Sequence, residues 1–175
     1  MHLFDDLIYR TTVFTLNVLE ETRAKAIEEL QTGGSTIAVK NLQAIQLQKV
    51  IIAVGMFSLF ESMLQEGLSC RNGFEEAKKI LVQAGNITLK NNFEEFICAI
   101  NVLKHGKGKS YNALVSQSTK LPFKIKLIGE NFFEEGDVAE VSTLIEVNDK
   151  FVLDCAELIE NVSKEIRNER SDFFL

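Results

Sequence analysis

The sequence predicts a mostly all-α protein: an up-and-down helical bundle of about five helices, with a small irregular or β-hairpin insertion before the last one. Three observations carry this. The 175 residues contain one proline, so long helices can run without a ring that removes a backbone donor. Apolar residues recur at helical spacing over long stretches. Short Gly-, Asn- and Ser-containing runs separate those stretches where helices would start and stop.

A first helix is expected over residues 3–31, where Leu3, Leu7, Phe14, Val18 and Ile27 recur near the helical period and Thr32-Gly33-Gly34-Ser35 ends the run. Ser35 or Thr36 can cap a second helix reaching about Leu68. Its middle is apolar on nearly every face, which predicts the buried centre of a bundle. After the turn Cys70-Arg71-Asn72-Gly73, a third helix spans Phe74 to Ala84, with Glu75-Glu76 near its positive end and Gly85-Asn86 after it. A fourth is expected from a cap at Asn91 or Asn92 to Lys104–His105, closed by Gly106 and Gly108. Residues 107–147 form the insertion. Within it, the 123–128 and 142–147 segments are β-prone and read as a small hairpin. Asn148 and Asp149 can cap a last helix to about Arg167, with Phe151, Val152, Cys155, Leu158, Ile159 and Val162 on one face. Residues 168–175 form a tail, frayed or tucked against a neighbour, and Phe173-Phe174-Leu175 would suit a dimer contact.

Apolar residues make up 46% and charged residues 25%, a balance that excludes wholesale disorder and fits one domain over 1–175. Cys70, Cys98 and Cys155 are odd in number and widely spaced, against a disulfide framework or a structural zinc site. The acids of Met1-His2-Leu3-Phe4-Asp5-Asp6 stand where a secretion signal carries bases. The greasiest run, Val50 to Phe60, is 11 residues long, short of the roughly 20 that a bilayer needs. A cytoplasmic protein with no membrane partner is therefore expected.

The net charge of −6 opposes a nucleic-acid surface, but its distribution favours a local one. From Phe96 to Gly129 there is no Asp or Glu, while Lys104, Lys107, Lys109, Lys120, Lys124 and Lys126 fall there. This is a basic island on an acidic body, which is also the pattern of a merely solvated segment. Around Lys104, helical geometry places Phe93, Phe96, Ile97, Ile100 and Leu103 on a core face and Glu94, Cys98, Asn101 and His105 on an adjoining arc. Asn101 and His105, four residues apart, can address one point: an imidazole for acid/base work and a carboxamide to orient a hydroxyl. Lys104, Lys107 and Lys109 could hold an anion beside them, with Gly106 and Gly108 allowing close backbone approach. A histidine at a helix C-terminus also simply stabilises the dipole, so a structural role stands beside the functional one.

Other chemistry is disfavoured. Gly108-Lys109-Ser110 imitates the end of a P-loop, but Leu103 occupies the place of the required first glycine. His2 and His105 are the only histidines, and neither has a carboxylate pair at ligand spacing. No cofactor is expected. Cys98 and His105 would lie about 10 Å apart along the axis, too far for nucleophile activation.

With those residues in view, the chain resembles the HEPN superfamily, helical bundles that include many RNases of toxin–antitoxin and other defence systems. The family motif is Arg-x4–6-His at the end of a bundle helix, with a polar residue after the arginine. Asn101 matches the polar position and His105 the histidine, while Ile100 stands in place of the arginine. Phe57-Ser58-Leu59-Phe60-Glu61-Ser62-Met63-Leu64 is similar to the family's central helix, with Glu61 at its acidic position, where it either faces the His105 region or is a hydrogen-bonded polar group at the helix edge, the edge role being slightly favoured. The likeness covers about residues 37–115. It implies metal-independent RNA cleavage by a homodimer that brings two motifs together. His105 would be the acid/base, Asn101 the orienting residue, Lys104, Lys107 and Lys109 the phosphate holders, with Glu61 and Glu94 in support. Loss of the arginine removes a main source of transition-state charge stabilisation, so binding of RNA or a nucleotide without catalysis is an equal expectation. The alternative from another class is a protein-interaction module that uses acidic faces of the first and last helices, Glu20, Glu21, Glu28 and Glu29 among them.

Overall fold

Ser35 closes the first turn of the second helix, its Oγ accepting from the backbone N–H groups of Ile37 and Ala38. Asn72, Asn86 and Asn148 do the same for three later helices. Each supplies an acceptor to a backbone donor that has no partner within the helix. The computed structural model describes residues 4–33, 35–130, 141–170 and 173. Its elements are α1 (Phe4–Gly33), α2 (Thr36–Gly67), α3 (Gly73–Gln83), α4 (Ile87–His105), α5 (Lys109–Val115), a 3-10 turn (Ser118–Lys120) and α6 (Asp149–Glu169). The described residues thus form an all-α bundle with no strand.

α2 is the helix on which the others assemble: α1, α3, α4 and α6 all pack against it. Ala53, Phe57, Phe60 and Leu64 on its inner face are fully buried. Phe57 and Phe60 meet Phe74 of α3 and Phe93 of α4 with ring centroids 6.1 to 6.5 Å away. A second trio, Phe96, Phe123 and Phe151, joins α4, the insertion and α6 at 5.1 to 5.4 Å. Two ion pairs set the long helices. The Arg167 guanidinium grips Asp5 with both terminal nitrogens, at 3.2 and 2.7 Å, tying the start of α1 to the end of α6. Lys49, buried in the middle of α2, reaches Asp149 at the start of α6 with 2.6 Å between Nζ and Oδ1.

Several expectations are corrected. In α1, Leu7, Phe14 and Val18 are exposed, Phe14 to 70%, whereas Asp5, Thr12, Leu16 and Ala26 are buried. The helix carries apolar residues on two faces, and contact with α2 and α6 selects the one holding Asp5, the partner of Arg167. Leu3 lies outside the described residues. The middle of α2 is not buried all round, since Leu47, Ile51 and Leu59 are about half exposed. By length and composition α2 is also long and apolar enough to cross a membrane, so the 11-residue apolar run understates it. α4 begins one turn earlier than expected. Gly85, with φ +74°, turns the chain out of α3, and Asn86 caps α4 at once. Asn91 and Asn92 are therefore interior, and Glu94 and Glu95 are not in the first turn. The insertion holds the short helix α5, anchored by buried Tyr111 and Leu114. Its hairpin is reduced to one antiparallel bridge between Ile125 and Ile145. In the tail, Phe173 is 2% exposed and belongs to the core of its own chain, so it is not free for a dimer contact. Phe174 and Leu175 lie outside the described residues.

α1 and α2 continue past the body as an antiparallel pair. Ala26, Ala38 and Leu42, with Ile27 and Leu30, form a small cluster separate from the main core. The α1 members of the main core end at Leu19, so the pair projects by about 20 Å at 1.5 Å per residue.

Candidate functional site

On α4, residues 97, 100, 101 and 104 share a face at helical spacing. That face looks across a cleft of about 200 Å³ toward Phe57, Ser58 and Glu61 of α2 and toward Asn72, Phe74 and Glu75 at the start of α3. The apolar floor is the edge of the Phe57–Phe74–Phe93 cluster together with Ile97 and Ile100. Gly73 brings the third wall in close. A Cβ there would stand 2.7 Å from both the Glu61 carbonyl oxygen and Leu64 Cβ, so only glycine lets α3 start against α2 at this height.

The polar groups of the cleft divide into satisfied and unsatisfied. Ser58 Oγ donates to the Val54 carbonyl at 2.9 Å. Asn72 Oδ1 accepts from the Glu75 N–H at 3.2 Å, and the Glu75 carboxylate meets Lys78 at 2.6 Å. Glu61, Asn101 and Lys104 have no side-chain hydrogen bond or ion pair among the described residues. Three residues singled out by their place in the sequence therefore converge here: the acid after the apolar run of α2, the carboxamide and the lysine of α4. Phe74 and Glu75 complete the cleft, although nothing in their sequence setting marks them for it. They reach it only through the tertiary contact that Gly73 permits, a signal that spacing along α3 does not carry.

The remaining candidates are elsewhere. His105 is exposed as the last residue of α4 and does not line the cleft. Gly106 closes the helix with φ +72° and an N–H donated to the Val102 carbonyl at 2.8 Å. Lys107 and Lys109 are exposed on the turn that follows, Lys109 opening α5. Lys104, Lys107 and Lys109 thus form a cationic corner around the exposed imidazole of His105, with no acidic partner among the described residues. At the other end of the basic island, Lys124 is paired with Glu146 at 3.5 Å.

Glu94 faces neither cleft nor corner. It binds Lys90 at 2.6 Å and approaches Lys78 at 3.6 Å, and the hydrogen bond from Lys90 holds its carboxyl below the usual carboxylate range. Burial pushes the neighbouring Glu95 up. Burial likewise pushes the Cys98 thiol up, against a hydrogen bond with Ser110, which disfavours the reactive thiolate. The arc of Glu94, Cys98, Asn101 and His105 is therefore split among four environments. Ile100, at the place of the family's arginine, is 4% exposed and forms cleft floor. Among the described residues no three His, Cys, Asp or Glu side chains converge to hold a metal, and His2 lies outside them.

The fold and this site define an all-α bundle with a cationic helix corner beside a small polar cleft. No family model, no curated protein and no solved structure matches the chain.

Proposed function

We propose that this is a HEPN-like protein that binds single-stranded RNA, or a nucleotide, with phosphates on the cationic corner and the adjoining nucleoside directed to the cleft. The observation that carries the reading is the set of three exposed lysines, Lys104, Lys107 and Lys109, beside the exposed imidazole of His105, all without acidic partners among the described residues at the end of α4. They neighbour a cleft whose Glu61 and Asn101 are equally unengaged. Cations at a helix C-terminus are also favoured by the dipole, so the corner costs the fold little. Phosphate contacts of this kind supply affinity and make it fall with salt.

Binding is better supported than cleavage. Asn101 sits in the cleft while His105 stands outside it, and the arginine position is apolar. Metal-independent cleavage in a defence or toxin–antitoxin setting would need His105 to reach a ribose held by Asn101, within one chain or from a second protomer. Fluorescence anisotropy with a labelled single-stranded RNA tests the reading. Lys107→Ala with Lys109→Ala should weaken binding and lower the slope of log K against log salt by about 0.7 for each phosphate that is no longer neutralised. Unchanged affinity and slope would refute it. If cleavage also occurs, His105→Ala should abolish it and leave most of the binding.

A second reading rests on a different surface. Leu7, Phe14 and Val18 make an exposed apolar stripe along α1, with acids at Glu20, Glu21, Glu28 and Glu29 beyond it. Such a stripe suits a protein partner or a second copy.

A further inference from the structure

The cleft has room for one nucleobase, and its unengaged groups define a hydrogen-bonding pattern. Glu61, as a carboxylate, only accepts; Asn101 offers an amide that donates and accepts; Lys104 is a cation at the mouth. The floor of Phe74, Ile97 and Ile100 is apolar, and an aromatic side chain at such a floor is a surface on which unpaired bases are held. We propose that the cleft selects guanine: N1–H and the exocyclic amine donate side by side to the Glu61 carboxylate, and O6 accepts from the Asn101 amide. Lys104 then meets the phosphate of the same nucleotide.

The assignment follows from the donor pattern of the four bases. Guanine alone presents two adjacent N–H donors on its Watson–Crick edge. Adenine and cytosine put a ring acceptor next to their amine, and uracil flanks its one donor with two carbonyls. Each of these would set a lone pair against Glu61, whereas a paired donor edge gains a charge-assisted, two-pronged contact. A carboxylate in this place is otherwise ill suited to a phosphate-binding region, because it repels the backbone it neighbours. Base selection gives it a role. The inference rests on the RNA-binding reading above and specifies the nucleotide that this cleft accepts.

The test is anisotropy titration of the full chain with four labelled heptanucleotides: U7, and U7 with a central G, A or C. The G strand should bind on the order of tenfold more tightly than the other three. Glu61→Gln, which converts one acceptor into a donor, and Asn101→Asp, which removes the donor to O6, should each shrink that gap to below about threefold. Circular dichroism would verify that each variant is folded. Lys107→Ala with Lys109→Ala should weaken all four strands alike and keep the preference. Equal affinity for the four strands overturns the guanine assignment and leaves the phosphate reading standing. A preference that survives both cleft variants overturns it as well. Absence of binding to every strand overturns both.

Discussion

Asp5 is 3% exposed at the beginning of a surface helix, a place where a carboxylate ordinarily stays in water. Its two hydrogen bonds from Arg167 compensate for the missing hydration, and removal of one partner leaves a buried, uncompensated charge. Arg167→Met should therefore cost about 3 kcal/mol or more in urea unfolding, and adding Asp5→Leu should recover most of it. A small loss in the single variant would show that water still reaches Asp5. Gly73 is the second sensitive position. Gly73→Ala must push α3 away from the Glu61 carbonyl, at a cost of about 1–3 kcal/mol, and under the proposed reading should weaken RNA binding by opening the cleft.

Glu94 and Glu95 make opposite predictions side by side. The Glu94 carboxyl is held below its ordinary value, chiefly by the Lys90 hydrogen bond. Its contribution is therefore complete above the unfolded pKa near 4.5 and is lost as pH falls through the folded one. The Glu95 carboxyl is raised by burial, so its ionisation opposes folding as pH climbs past the unfolded value. Glu94→Gln should lower stability at pH 7 and flatten its loss in acid, and Glu95→Gln should raise stability at pH 7. Chemical denaturation at pH 3 and pH 7 checks both signs.

Among the helices, the contrast between α6 and α1 shows what a sequence makes legible. All of Phe151, Val152, Cys155, Leu158, Ile159 and Val162 are buried as expected, because α6 has one apolar face and polar residues elsewhere. α1 has two apolar stripes, and periodicity alone cannot choose between them. The face that packs is the one holding Asp5, whose partner Arg167 lies far away in the chain. The cleft divides in the same manner. Asn101 and Lys104 follow from the turns of α4, and Glu61 from the end of an apolar run. Phe74 and Glu75 depend on a helix-to-helix approach that no local pattern encodes. The unselected stripe has its own test. Leu16→Ala should cost about 2–5 kcal/mol as a core truncation, whereas Phe14→Asp should leave stability within about 0.5 kcal/mol. If α1 is a self-interface, Phe14→Asp should also convert a sedimenting dimer to a monomer. An unchanged sedimentation coefficient would exclude that use of the stripe.

Taken whole, the molecule separates its tasks in space. The aromatic clusters and the two ion pairs hold the body, the α4 corner offers cations, and the α1–α2 pair reaches outward on a small cluster built around two alanines and a leucine. Glu61 stands about 38 Å along α2 from Thr36 at 1.5 Å per residue. A reporter domain spliced between those two long helices would therefore ride at the end of a stalk, well clear of the cleft lined by Glu61. The same stalk, wedged against a large neighbour, would act as a lever whose other arm is the very segment of α2 that carries Glu61.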